Sequence, residues 1–194
     1  MTDPLASAPV EFQDALDSIR AAQPRPELRI SEMPAPQALA PWAAAFTADV
    51  APSGHADSDE GTGRMLVLYD PAEPEAWGGR FRVVCFAQAP LENDIGVDPF
   101  LADVAWSWLI DALDSRGARY IAASGTATRI LSTGYGELAR EGDGSQIEIR
   151  ASWTPLTVEL GAHFEGWSEL LCMLAGLPPH ADGVVKLPRK AVRD

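Results

Sequence analysis

Hydrophobic positions along the chain change period several times, and each change marks an element. From Val10 to Ala22, Phe12, Ala15, Leu16, Ile19 and Ala22 recur at spacings of three and four, which predicts a short amphipathic helix stopped by Pro24. In PRPELRISEMPAP the period drops to two. Leu28 and Ile30 alternate with Arg29 and Ser31 between prolines, the pattern of an edge strand. AAFTADV (44–50) and RMLVLY (64–69) read as strands flanking the acidic loop APSGHADSDEGTG, although the alanines of the first also permit a helix. RFRVVCFAQA follows the turn at PAEPEAWGG, and the three runs together predict an antiparallel meander.

A longer period returns at LADVAWSWLIDAL, entered through Asp98 as a cap and Pro99 as the first helical residue. Trp106 and Trp108 stand two positions apart, so on a helix their side chains point about 200° from one another. Projection places Leu101, Val104, Ala105, Trp108, Leu109 and Ala112 on one broad face, with Trp108 near its centre. Trp106 falls on the far flank with Ala102, Ile110 and Leu113, which predicts a helix wedged between the sheet and a further element such as the Trp167 helix. Beyond Gly117, ARYIAASGTATRIL and QIEIRASW are strand-like and can pair as a hairpin across GYGELAREGDG. A last helix, about Glu159 to Ala175, gathers Leu160, Phe164, Trp167, Leu171 and Leu174 on one face.

Runs of strands broken by single helices predict an α+β fold, a mostly antiparallel sheet with about three helices packed largely on one face. With 194 residues, 46% of them hydrophobic, the chain can bury roughly 70% of its unfolded surface around one core. A single domain over residues 10–180 is expected, with a loose N-terminus (1–9) and a loose basic tail (181–194). The formal charge of -13 disfavours DNA and anionic membrane surfaces as partners, both of which select basic patches. No window approaches the 18 or more apolar residues of a membrane span, and MTDPLASAPVEF lacks the pattern of a signal peptide, so a cytoplasmic location is expected.

Catalytic constellations are scarce. His55, His163 and His180 are scattered, and Cys85 and Cys172 lie in apolar surroundings without metal-type spacing, so no metal or cofactor is expected and the thiols read as buried and reduced. DSDEGTG resembles half of a calcium loop, but Gly61 replaces a ligand and Thr62 the required glycine. GGRFR, GTGR and SGTATR lack the context of a phosphate cradle. The leading expectation is therefore a non-catalytic binding or protein-interaction module, with a protein partner or self-association.

Period-two splitting locates a surface for it. In RFRVVCFA, Phe81, Val83, Cys85 and Ala87 suit the core, which sends Arg80, Arg82, Val84 and Phe86 outward. QIEIRASW likewise sends Gln146, Glu148 and Arg150 outward while Ile147, Ile149 and Trp153 point in. Arg80, Arg82, Phe86 and Arg150 are thus the candidate binding residues, an arginine and aromatic mixture typical of interface hot spots. The alternative is an enzyme or small-ligand binder with a pocket among Trp106, Trp153, His163 and Trp167. A third reading, an RNA-associated accessory, requires Arg80, Arg82, Arg129 and the tail to join in one basic surface.

Several blocks taken in order carry a family likeness: RPELRISEMPAPQALAPWA, GRMLVLYDPAEPEAWGGRFRVV, DVAWSWLIDAL, SGTATR, and QIEIRASWTP with HFEGWSELLCMLAGLPP. Over about residues 10 to 190 the chain resembles the actinobacterial proteins called domain of unknown function 3000. That resemblance implies a soluble bacterial protein of one domain. It assigns no functional residue.

Overall fold

The computed structural model describes residues 8–36, 38–51, 60–140 and 142–179. The first seven residues, most of the acidic loop with His55, and His180 with the basic tail lie outside them. The elements run α1 (Val10–Ala21), β1 (Leu28–Met33), β2 (Trp42–Val50), β3 (Thr62–Tyr69), β4 (Phe81–Leu91), α2 (Asn93–Gly96), α3 (Leu101–Ser115), β5 (Tyr120–Thr133), β6 (Asp143–Pro155) and α4 (Gly161–Leu174). The alanine-rich run is a strand, and β1 is an edge strand as its prolines require. The helix entry differs slightly from expectation. Asp98 accepts the Phe100 N–H at 2.9 Å and the helix begins at Leu101, so the cap stands a turn ahead of it.

All strand pairs are antiparallel in one six-stranded sheet of order β1-β2-β3-β4-β6-β5. The first four strands form a meander. The chain then crosses through α3 to the far edge, lays down β5, and turns back so that β6 fills the gap between β4 and β5. Burial decides which strand of this last hairpin lies inside: Ile147, Ile149, Ala151 and Trp153 of β6 are buried, whereas most of β5 is exposed.

One face of the sheet carries the core. Met65, Val67, Val83, Cys85, Ile149 and Trp153 point to it, and α1, α3 and α4 pack there. Phe12 of α1 meets Tyr69 at 5.9 Å between ring centroids, and Phe164 of α4 meets Phe46 edge-on at 5.2 Å. A Cβ on Gly166 of α4 would stand 2.9 Å from a Leu113 methyl, so only glycine lets α3 and α4 approach this closely.

The two tryptophans of α3 divide differently from the projection. Leu101, Ala105, Leu109, Ala112 and Leu113 form its buried arc, while Trp106 and Trp108 are each half-buried on opposite flanks. Trp106 lies over β5, where a Cβ on Gly125 would come within 2.8 Å of its ring. Trp108 is not central to the core. It lines a groove with Arg116, Glu169 and Met173 between α3 and α4. Burial of this helix is set by the partners on its two sides rather than by the mean direction of its apolar side chains.

A charged cluster locks the same end. Arg25, ahead of β1, donates to Glu169 of α4 and to Glu27 at 2.8 Å each, and Arg116 at the end of α3 donates to the other oxygen of Glu169 at 2.9 Å. Arg25 and Glu169 are almost wholly buried, so these bonds compensate the desolvation of both ions.

Candidate interaction surface

Opposite the helices, the second sheet face carries the other half of each alternating strand. Pairing aligns its side chains in rows across the strands. One row runs Ser31, Thr47, Arg64, Phe86, Arg150 and Thr126 from β1 to β5. Beside it lie Met33, Ala45, Leu66, Val84, Ser152 and Ser124, and on its other side Arg29, Asp49, Thr62, Gln88, Glu148 and Thr128. The face is therefore a small apolar strip bordered by arginines. Four arginines (29, 64, 82 and 150) against Asp49 and Glu148 leave it two charges positive on a chain of net charge -13.

Phe86 stands between Arg64 and Arg150. The Arg150 guanidinium lies 5.6 Å from the Phe86 ring centroid, within cation–π range, and bonds Glu148 at 2.6 Å while its side chain remains largely exposed. Arg64 has no ion-pair partner among the described residues. Its position follows from the same alternation, since Met65, Val67 and Tyr69 point inward and send Arg64 and Leu66 out, yet the candidate set omitted it.

The sequence candidates separate. Arg82, Phe86 and Arg150 share this face. Arg80 stands before β4 and turns toward the helix layer, paired with Glu11 of α1 and with Glu73 at 2.8 Å each. Glu11 also accepts the Tyr69 hydroxyl at 2.7 Å, and these bonds, the tyrosine first, hold its carboxyl below the usual range. Arg82 is engaged within the sheet, donating to Ser152 at 2.6 Å, Thr154 at 3.0 Å and the Ala122 carbonyl at 3.1 Å. Burial draws its pKa down. Arg129 lies on the helix side, donating to the Asp98 carbonyl at 2.6 Å, so Arg80, Arg82 and Arg129 form no common basic surface.

Trp153, His163 and Trp167 are fully buried, and only Trp106 of that group reaches solvent. Trp153 and His163 stack with ring centroids 6.3 Å apart, and burial holds the imidazole at a pKa of about 4. Burial also raises Cys85 and Cys172 to about 12, so both stay thiols. Among the described residues no group of three or more His, Cys, Asp or Glu is placed to hold a metal. An apolar groove of about 510 Å³ lies elsewhere, beside β1, lined by Phe12, Met33, Pro34, Pro41 and Trp42. No described helix is long and apolar enough to cross a membrane.

Fold and surface together define a class: an α+β protein whose antiparallel sheet is covered by helices on one side and, among the described residues, open on the other. Its family model matches residues 8–185, and the chain belongs to that family, described as "Protein of unknown function (DUF3000)". No curated protein and no solved structure matches it.

Proposed function

We propose that the chain is a non-catalytic protein-interaction module that works through the open sheet face. One observation carries this reading: Phe86 and its apolar neighbours Leu66 and Val84 are framed by Arg64 and Arg150 on a face that none of α1, α3 and α4 covers. Arginine beside an accessible aromatic supplies apolar area, planar hydrogen bonding and charge at one spot. A partner segment that combines acidic and apolar side chains complements it. A cytoplasmic setting accords with two buried thiols.

The test is affinity capture from the source organism with the wild type and with an Arg64→Glu, Phe86→Ser double variant. Both positions are on the open face, so circular dichroism should be unchanged. Proteins retained by the wild type should be lost from the variant. Identical recovery by both folded proteins would remove this face as the working surface.

A further inference from the structure

The two edges of the sheet are built differently. β1 is six residues long, carries Arg29 and Glu32, and is bracketed by prolines, the usual means of preventing further pairing. β5 is fourteen residues long, has no proline, and carries a single charge, Arg129, whose guanidinium is turned to the Val97 and Asp98 carbonyls. From Ser124 to Thr133 its pairing with β6 is regular, the bulge being confined to Ile121–Ser124. Along that run every second residue aims its backbone N–H and C=O away from β6. No described group receives them. A long, regularly paired, nearly uncharged edge is a template for another strand.

Apolar side chains gather at the same border. Of the eleven large hydrophobic residues exposed among the described residues, eight stand on β5 or on the segments adjoining it. Phe100, Leu131 and Tyr135 are 68%, 62% and 80% exposed, and Val97 and Val104 extend the patch over the helix side. The rest of the described surface shows no such concentration.

We infer that two copies of this chain pair edge to edge through β5, antiparallel, making one continuous twelve-stranded sheet. A second copy fits better than a foreign segment for three reasons. The strand is self-complementary: a two-fold axis through Ala127 sets Thr126 against Thr128 and Ser124 against Ile130 on the open face, with Arg129 meeting Gly125 rather than its own copy. The same axis sets the Phe100 end of one copy, which lies by Arg129, beside the Gly125 and Trp106 end of the other, so apolar side chains flank the ladder on both sides of the axis. Finally, two chains of charge -13 repel, and β5 carries no acidic residue along its fourteen positions. The surface is distinct from the Phe86 face, which pairing would extend rather than cover.

Sedimentation equilibrium on the full chain tests this, with Thr128→Lys and Phe100→Glu as separate variants. Both sites are exposed, so folding should survive, as a circular dichroism melt would verify. The wild type should sediment at twice 20.8 kDa, and each variant should weaken association at least tenfold. Amide exchange should show the outward-facing amides of Ser124 to Thr133 protected in the wild type and released in Thr128→Lys. The Arg64→Glu, Phe86→Ser variant should remain dimeric, which separates this result from the fate of the open-face reading. A monomeric wild type at 100 μM (roughly the weakest affinity of a lasting pair), or a dimer unaffected by both variants with β5 amides unprotected, overturns it.

Discussion

The indole Nε1 of Trp153 donates to Nδ1 of His163 at 3.0 Å, with both side chains fully buried. An indole nitrogen can only donate, so Nδ1 is the bare acceptor and the neutral ring carries its proton on Nε2. Protonation would set a second N–H against that of Trp153 and bury a charge. The pair therefore fixes one tautomer and holds strand β6 to helix α4.

Stability should fall as the medium is acidified through this group. Burial lowers the folded pKa of His163 to about 4 from an ordinary 6.5, so between those values the unfolded chain binds more protons and stability rises with pH. The contribution is intact above about 6.5 and drains away down to about 4, amounting to roughly 2 kcal/mol between pH 7 and pH 5. Urea unfolding at the two pH values measures it. His163→Phe should remove most of the slope, and an unchanged slope would assign the effect to other groups.

The tryptophans give a graded test of packing. Trp167 is wholly buried against Phe164, ring centroids 5.5 Å apart, so Trp167→Ala should cost roughly 3–5 kcal/mol. Trp108 covers the α3–α4 groove from outside, and its truncation removes area without leaving a closed cavity, so about 1–2 kcal/mol is expected. Equal losses in thermal melts of the two variants would contradict their placement.

What could be read along the chain was what depends on near neighbours. The in-and-out split of β4 and β6, the apolar face of α4 and the proline-guarded edge at β1 all follow from local period, and the structure keeps them. Arg64 follows by the same rule, since the inward turn of Met65, Val67 and Tyr69 sends it to the opposite face. The position of β6 between β4 and β5 was not legible, since a hairpin can dock by either strand and only the crossover decides. Arg80 shows the limit from another side: parity sends it outward, but at a strand end the backbone no longer constrains direction and Glu11 decides it. Arg25 and Glu169 lie 144 positions apart, and no pattern in either neighbourhood announces the pair.

That buried pair should respond to mutation non-additively. Removing one partner leaves the other charge desolvated, so Arg25→Ala should destabilise by roughly 3–5 kcal/mol. Glu169 then retains Arg116, and a double variant with Glu169→Gln should cost less than the sum of the two single changes. A double-mutant cycle in denaturant reads the coupling. Additive losses would show that the two side chains act independently.

Arg82 reads at first as a free interface arginine, and its contacts give it a different task. Ala122 sits at φ 54°, a left-handed conformation that costs a non-glycine residue about 1–3 kcal/mol, within the bulge that shifts the β5 register between Ile121 and Ser124. Its carbonyl is turned to Arg82, which at the same time holds Ser152 and Thr154 of β6. The guanidinium thus compensates the strain it helps to maintain. Arg82→Met should cost roughly 1–3 kcal/mol through the lost charged hydrogen bonds and should loosen the amides of residues 121–124 in hydrogen exchange. Ala122→Gly removes the conformational penalty, so in the wild-type background it should be neutral or stabilising by about 1 kcal/mol, and it should lessen the cost of Arg82→Met. If Arg82→Met left stability and exchange at the bulge unchanged, the arginine would be free for a partner, and Arg82 would then stand with Arg64 and Arg150 on the open face.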